Sequence, residues 1–240
     1  MKHLWILLFL CACATGRDMS PDMVYAPVDT DVFRIATWQK ITDESAPVHV
    51  YIEGDGRAFD AYGRPTGNPT PVTSVARDLA SRDTSPNVVY VARPCMYVND
   101  PRCSVHDWTD ARFSSDAINS IAQAVRQIVA TRPLVLIGHS GGALVTGLII
   151  NGNYDLAVQK WVTVAGVLNH GDWTEYFGDT PLSASLNLDV LPRILAAHYI
   201  APDDTVVPNE LSHRWVGDDG ATVVPDAKHN NFDNLDLSGI

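Results

Sequence analysis

The chain has 240 residues, of which 46% are hydrophobic and 19% charged, enough apolar matter for one globular domain with a large core and too little length to favour a second. Its formal net charge of −11 argues against nucleic acid and other polyanions as partners. Neither an internal repeat nor a low-complexity tract interrupts it.

The N-terminus, MKHLWILLFLCACATG, has a basic start followed by an apolar stretch from Leu4 to Leu10. That stretch is too short to span a bilayer comfortably and reads as an export signal. Within it Leu10-Cys11-Ala12-Cys13 resembles the bacterial lipobox, in which small residues precede a cysteine that is lipidated and becomes the mature N-terminus. The resemblance implies a lipoprotein-type signal over residues 1–12, lipidation at Cys13 and a membrane anchor. An ordinary cleaved signal or a short uncleaved anchor is the alternative. Ala14 stands where an aspartate would retain the protein at the inner membrane, so the outer membrane is favoured. Residues 13–31, polar and punctuated by Pro21 and Pro27, read as a tether, leaving 32–240 as the domain.

In chain order, FRIATWQK (33–40) and PVHVYIEG (47–54) read as strands that open the sheet as an antiparallel pair. PVTSVARDLASR (71–82) reads as a helix with Val72, Val75, Ala76 and Leu79 on one face. The strand NVVYVARP (87–94) follows, and then a long helical pattern over 110–132, in which Ile118, Ile121, Val125, Ile128 and Val129 recur at helical spacing. Between these two lie Cys95 and Cys103. In an exported chain so close a pair, separated by Asn-Asp-Pro turn chemistry, most simply forms a disulfide. Metal binding is the weaker reading, because no histidine stands at a familiar zinc spacing.

Leu134 to Ile137 is an apolar run without alternation, as a strand buried on both faces requires. ALVTGLIINGN then reads as a short buried helix after a very tight turn. Between them Gly138-x-Ser140-x-Gly142 has the nucleophile-elbow pattern, which exposes the central hydroxyl because the flanking positions carry no side chain. The strands WVTVAGV (161–167) and RILAAHYI (193–200), a short helix from about Asn209 and a last strand, ATVVPDA (221–227), complete the domain. Alternation of this kind builds an α/β domain with a mostly parallel central sheet and helices on both faces.

A serine at neutral pH needs a base, and the base needs an acid to fix its tautomer. Asp203 and Asp204 lie just beyond the strand 193–200, where side chains reach the crevice at the sheet's C-terminal edge. His229 follows the last strand in the polar loop KHNNF. Its rivals are less well placed: His213 falls in the expected helix, His170 precedes the acid strand, and His139 occupies the variable position of the elbow. The negative oxygen of a tetrahedral intermediate needs amide donors. The Gly141 amide supplies one, and the loop VYIEGDGRAF supplies another from Asp55 and Gly56, a hairpin turn there being the alternative.

Serine, acid and histidine in this chain order match the α/β-hydrolase arrangement. From about Val48 to His229 the chain resembles that superfamily. More narrowly, YIEGDG, GRPTGNPTP, VARPCMY, CSVHDWTDARFS and GHSGG together resemble a group of largely uncharacterised bacterial α/β-hydrolase lipoproteins. The resemblance implies a single α/β-hydrolase domain with serine-hydrolase chemistry. An aspartate followed at short spacing by Val-Pro is the superfamily's acid-loop pattern, so Asp204 matches the acid and Asp203 is the fallback. The segment beyond His229 has no match in the pattern. The expectation is therefore an esterase-like enzyme of the cell envelope acting on a small-molecule acyl substrate, with no cofactor and no metal. An acyltransferase or peptidase using the same residues is one alternative, and a non-catalytic envelope binding protein on the same scaffold is another. The insertion 168–193 supplies Trp173, Tyr176 and Phe177, either to a substrate pocket or to a satellite of the core.

Overall fold

The computed structural model describes residues 19–240. The expected signal over 1–12 and the lipidation cysteine, Cys13, lie outside the described residues. Ten strands and six helices follow one another as β1 (Val24–Tyr25), β2 (Val28–Asp29), β3 (Arg34–Ile35), β4 (Thr37–Ile41), β5 (Val48–Ile52), α1 (Val75–Arg82), β6 (Asn87–Val91), α2 (Val105–Trp108), α3 (Ser115–Val129), β7 (Leu134–His139), α4 (Gly141–Asn151), β8 (Val158–Val164), α5 (His170–Phe177), β9 (Leu195–Ile200), α6 (Asn209–Val216) and β10 (Ala221–Val223).

The main sheet has eight strands in the order β1-β4-β6-β5-β7-β8-β9-β10, and β2 pairs with β3 in a separate two-stranded ribbon. From β6 to β10 every neighbour is parallel, whereas β1 with β4 and β4 with β6 are antiparallel. Every residue of β5, β6 and β7 is buried, which is why these segments read as continuous apolar runs. Successive strand residues point to opposite faces. Val50, Val89 and Leu136 pack on one side with Ile121 and Val125 of α3 and Leu144 and Val145 of α4. Tyr51, Tyr90 and Ile137 pack on the other with Val75 and Leu79 of α1. Serine side chains cap both amphipathic helices: Ser74 accepts from the Arg77 amide and Ser114 from that of Ala117.

Two expectations need correction. The opening strands β4 and β5 are not an antiparallel pair: β6 lies between them, antiparallel to β4 and parallel to β5. The short segment 42–47 carries the chain from β4 past that position to β5, and a crossover through α1 then returns it to β6 between them; parallel neighbours such as β5 and β6 require a connection of this kind. The second correction concerns the tether, since the segment 19–31 joins the domain. Tyr25 pairs with Trp38 across β1 and β4 with ring centroids 4.8 Å apart, and Met23 is buried in the core.

The end of the chain, which had no match, is part of the fold as well. Phe232, Leu235 and Leu237 are buried against α1's face of the sheet, and Arg82 donates to the carbonyls of Asp233 and Phe232 at 2.6 and 3.1 Å.

Cys95 and Cys103 are bonded, with Cα atoms 5.7 Å apart across a sequence separation of 8. Closing so short a loop restricts the unfolded chain by about 2 to 3 kcal/mol in the chain-entropy account. Replacing both cysteines by serine is therefore expected to lower the unfolding free energy by about that amount, read as a shift in the urea midpoint against the oxidised wild type.

Candidate active site

The site lies at the C-terminal edge of the parallel strands, where the segments following β5, β6, β7, β8, β9 and β10 meet. Ser140 links β7 to α4 with φ 52° and ψ −124°, a left-handed conformation uncommon for a residue with a side chain. Its neighbours explain why it is tolerated. A Cβ on Gly138 would lie 2.3 Å from the Gly142 carbonyl oxygen, and one on Gly142 would lie 2.4 Å from that of Ile52, so strand and helix approach more closely than any side chain permits. Backbone bonds fix the turn: the Ser140 amide donates to the Val164 carbonyl at 3.0 Å, and the Ser140 carbonyl accepts from Ala143 at 3.1 Å and Val167 at 3.0 Å.

Ser140, Asp204 and His229 come together. The Ser140 hydroxyl oxygen is 3.2 Å from His229 Nε2, and His229 Nδ1 is 2.8 Å from Asp204 Oδ2. Asp204 follows β9 and is buried. Its Oδ1 accepts from the amides of Val206 and Val207 at 2.8 and 2.9 Å. Burial alone would push its pKa up, but the hydrogen bond and charge of His229, with those two amides, outweigh it and hold the carboxyl below its ordinary value. Asp204 is therefore ionised at neutral pH, orients Nδ1–H of His229 toward itself, and leaves the Nε2 lone pair for the serine proton. Asp203 is exposed and has no part in this relay.

The rival histidines have other surroundings. His213 Nδ1 lies 3.2 Å from the Gly217 carbonyl at the end of α6. His139 supports the base: its Nε2–H donates to the His229 carbonyl at 2.9 Å, and the two rings are 5.1 Å apart. Burial, reinforced by the nearby charge of His229, pushes His139 down to about 3 against the opposing pull of that carbonyl and of Asp204 and Asp55. At neutral pH it is an uncharged donor.

The loop after β5 reaches the serine from the other side. A Cβ on Gly54 would stand 3.2 Å from Ser140 Cβ, and the Gly54 amide is spent on Glu53 Oε1 at 2.9 Å. Among the described residues the amides of Asp55, Gly56 and Gly141 have no protein acceptor, which leaves them free to face a developing negative oxygen. Gly56 has φ 61°, and a Cβ there would meet the Pro69 carbonyl oxygen at 2.3 Å, so this turn admits no side chain. Gly141 opens α4, whose N-terminal dipole end favours an anion. The Asp55 carboxylate lies so close that a Cβ at Gly141 would be 2.2 Å from its Oδ1.

An uncompensated carboxylate there would oppose an oxyanion. Arg93 Nη1 at 3.3 Å and Arg112 Nε at 2.9 Å pair with it. Beneath the loop Glu53 is buried and accepts from Ser74 and Tyr90; burial raises its pKa against the pull of those donors. Sequence reasoning gave no role to Glu53, Arg93, Arg112 or the His139 hydrogen bond. A charged residue ending an apolar run, as in YIEG and VARP, was the available signal.

These residues enclose a cavity of about 230 Å³ lined by Ser140, His229, Asp55, Phe113, His170 and Trp173, among others. Of the three aromatics expected from the insertion, Trp173 lines it and donates Nε1–H to the Val206 carbonyl at 2.7 Å, whereas Tyr176 and Phe177 are exposed. The insertion also forms α5, a helix that the sequence analysis does not assign.

No family model and no curated protein matches the chain. Solved structures do. An α/β serine hydrolase without lid from Xanthomonas campestris is 18% identical at a TM-score of 0.53, covering 88% of this chain and 87% of its own. An α/β serine hydrolase homologue from Coxiella burnetii is 14% identical at 0.52, covering 89% and 91%. The Pyrococcus furiosus esterase Pf2001 is 15% identical at 0.55, covering 86% and 84%. The chain thus has the α/β-hydrolase fold as a single domain.

The buried histidines make stability depend on pH. His139 titrates at about 3 in the native state against 6.5 ordinarily, and burial also lowers His170 and His198. Between pH 6.5 and 3 the unfolded chain therefore binds more protons, so stability rises with pH across that window and is lost as pH falls. Urea unfolding at intervals from pH 7 to pH 4 is expected to show this slope, and His139→Phe, which keeps a ring but cannot titrate, is expected to flatten it.

Proposed function

We propose that the chain is a serine hydrolase, esterase-like, that cleaves a carboxylic ester or related acyl bond of a small molecule through an acyl-enzyme intermediate. The observation that carries this reading is the unbroken relay from the Ser140 hydroxyl through His229 to an ionised, buried Asp204. The solved structures of the same fold described as serine hydrolases and esterases support it.

In the first half-reaction Ser140 Oγ bonds to the substrate carbonyl carbon as its proton passes to His229 Nε2. The carbonyl π electrons move onto oxygen, which the amides of Gly141, Asp55 and Gly56 receive; one such donor is typically worth about 3 to 4 kcal/mol in the transition state. Collapse re-forms the carbonyl, breaks the bond to the leaving alcohol and returns the proton to it from His229. Water then repeats the sequence on the acyl-enzyme, giving the acid and free Ser140. Asp204 stays ionised throughout and stabilises the imidazolium.

The insertion holding α5 is short and contributes His170 and Trp173 to the cavity, in keeping with the lid-free architecture stated for the Xanthomonas protein. On the pattern of residues 1–13 we place the enzyme at the bacterial cell envelope, anchored to the membrane through lipid on Cys13, with the outer membrane favoured by Ala14.

A fluorophosphonate probe is expected to label the protein stoichiometrically, and Ser140→Ala to abolish labelling; a label that persists in that variant overturns the assignment. Asp204→Asn is expected to lower kcat by about 10³ to 10⁴ by removing the partner that fixes the His229 tautomer. Asp203→Asn, an exposed change, is expected to stay within about threefold. The reverse ranking in ester hydrolysis assays would reassign the acid.

A further inference from the structure

His170 opens α5 and faces the cavity that holds Ser140. It is only 8% exposed, and neither ring nitrogen has a hydrogen-bond partner. The backbone of Ser185 and Leu186 passes beside the ring without meeting hydrogen-bond geometry. A buried imidazole with both nitrogens unmet is costly, and the rest of its setting is firmly built. Its ring lies parallel to that of Phe113 at 5.9 Å and 1°. Asn169 caps the helix by accepting from the Asp172 amide at 2.9 Å and is itself held by Asn187. The ring is thus fixed in place with its polar atoms unused.

The charges on the same wall say what would meet it. Arg93 and Arg112 approach the Phe113 ring at 4.9 and 5.6 Å, and one carboxylate, Asp55, answers both guanidiniums. Arg112 also donates Nη1 to the Thr109 carbonyl at 2.8 Å, while its buried Nε, 2.9 Å from Asp55 Oδ2, lacks hydrogen-bond geometry to any described acceptor. Burial keeps His170 low, with Arg112 adding to the effect and the Ser185 backbone opposing it, so at neutral pH the ring is an uncharged donor beside an excess of positive charge. A plain alkyl chain would leave these groups unpaired, whereas an oxygen acceptor would take the one N–H of the neutral ring together with a guanidinium N–H.

We propose that His170 and Arg112 form a binding subsite for a carbonyl or carboxylate oxygen carried on the substrate, within a short chain of the scissile carbonyl. This rests on the serine-hydrolase reading, since the scissile carbonyl is placed by Ser140. The chain is short because subsite and serine share one cavity of about 230 Å³, below the span typical for drug-sized ligands.

The test compares methyl pentanoate, methyl 4-oxopentanoate and monomethyl succinate, with acid release followed in a pH-stat and corrected for uncatalysed hydrolysis. At least one oxygen-bearing ester is expected to exceed pentanoate in kcat/KM by about tenfold, chiefly through KM, as one matched buried hydrogen bond allows. A gain on succinate alone assigns a carboxylate; a gain on both assigns a carbonyl oxygen. His170→Phe, which keeps the stacked ring, is expected to bring the ratio to about one, and His170→Gln, which keeps a donor, to an intermediate value. The rate of fluorophosphonate labelling at Ser140 shows that each variant retains a working relay, and the Gln variant decides if the Phe variant does not fold. Labelling of the wild type without preference, or a preference that survives in His170→Phe, overturns the subsite and leaves the hydrolase standing. Absence of labelling overturns the hydrolase reading and the subsite with it.

Discussion

The close contact between strand β7 and helix α4 is the constraint on which the site depends. Gly138 and Gly142 let the helix start almost against the strand, and the residue between them is forced into a positive φ. A strained residue of this kind costs of order 1 to 3 kcal/mol. The cost is offset locally, because both backbone polar groups of Ser140 are bonded to the loop and strand of β8, and globally, because α4 is apolar and buried along most of its length. A hydroxyl carried on an ordinary turn would be free to rotate away from its base. Here the backbone leaves the side chain one direction, toward the crevice where the other loops converge.

The groups that meet there are charged or polar, and the interior disposes of them in two ways. Asp204 keeps its charge, since His229 and two amides replace the water it has lost. Burial holds His139 neutral and raises the pKa of Glu53 against the pull of Ser74, Tyr90 and the Gly54 amide. Asp55 is the exception that shows the rule. Its carboxylate lies against the first residue of α4, and it is held there by two guanidiniums rather than one, which makes the surroundings of the amide donors positive rather than negative. Breaking that cluster on either side would strand a buried charge, the costly outcome for groups of this kind.

How much of this could be read in the sequence follows from the range of each interaction. Strands β5, β6 and β7 declare themselves because burial on both faces leaves few polar positions, β8 by its buried second half, and α3 because its apolar residues recur on one side. Local turn chemistry likewise revealed the glycines around Ser140. Strands β1, β2 and β3 have two residues each, too few for any period to show. The pairing of β4 with β6 instead of β5 is a non-local choice that alternation does not encode, and the exposed aromatics of α5 have no single buried face to betray a helix. In the site, Ser140, Asp204 and His229 were reachable because their order along the chain is constrained by the parallel sheet. Arg93 and Arg112 were not, because their meaning depends on Asp55, distant in sequence and adjacent only after folding.

The division between what is fixed and what is adjustable follows the same lines. The relay is held by contacts of its own: glycines at the elbow, the Val206 and Val207 amides on Asp204, the His139 hydrogen bond on the His229 carbonyl. The wall formed by Arg112, Phe113, His170 and Trp173 comes from the loop before α3 and from the insertion at α5, and it meets these contacts at one point, the bond from Trp173 to the Val206 carbonyl. A change at Phe113 or His170 alters which group can sit beside the serine without removing a contact that holds the relay. Loops placed on a rigid sheet edge allow this separation, so one small cavity combines a fixed elbow with a polar wall. The strained turn and the apolar sheet beneath it supply the first; the second is set by side chains that the core does not need.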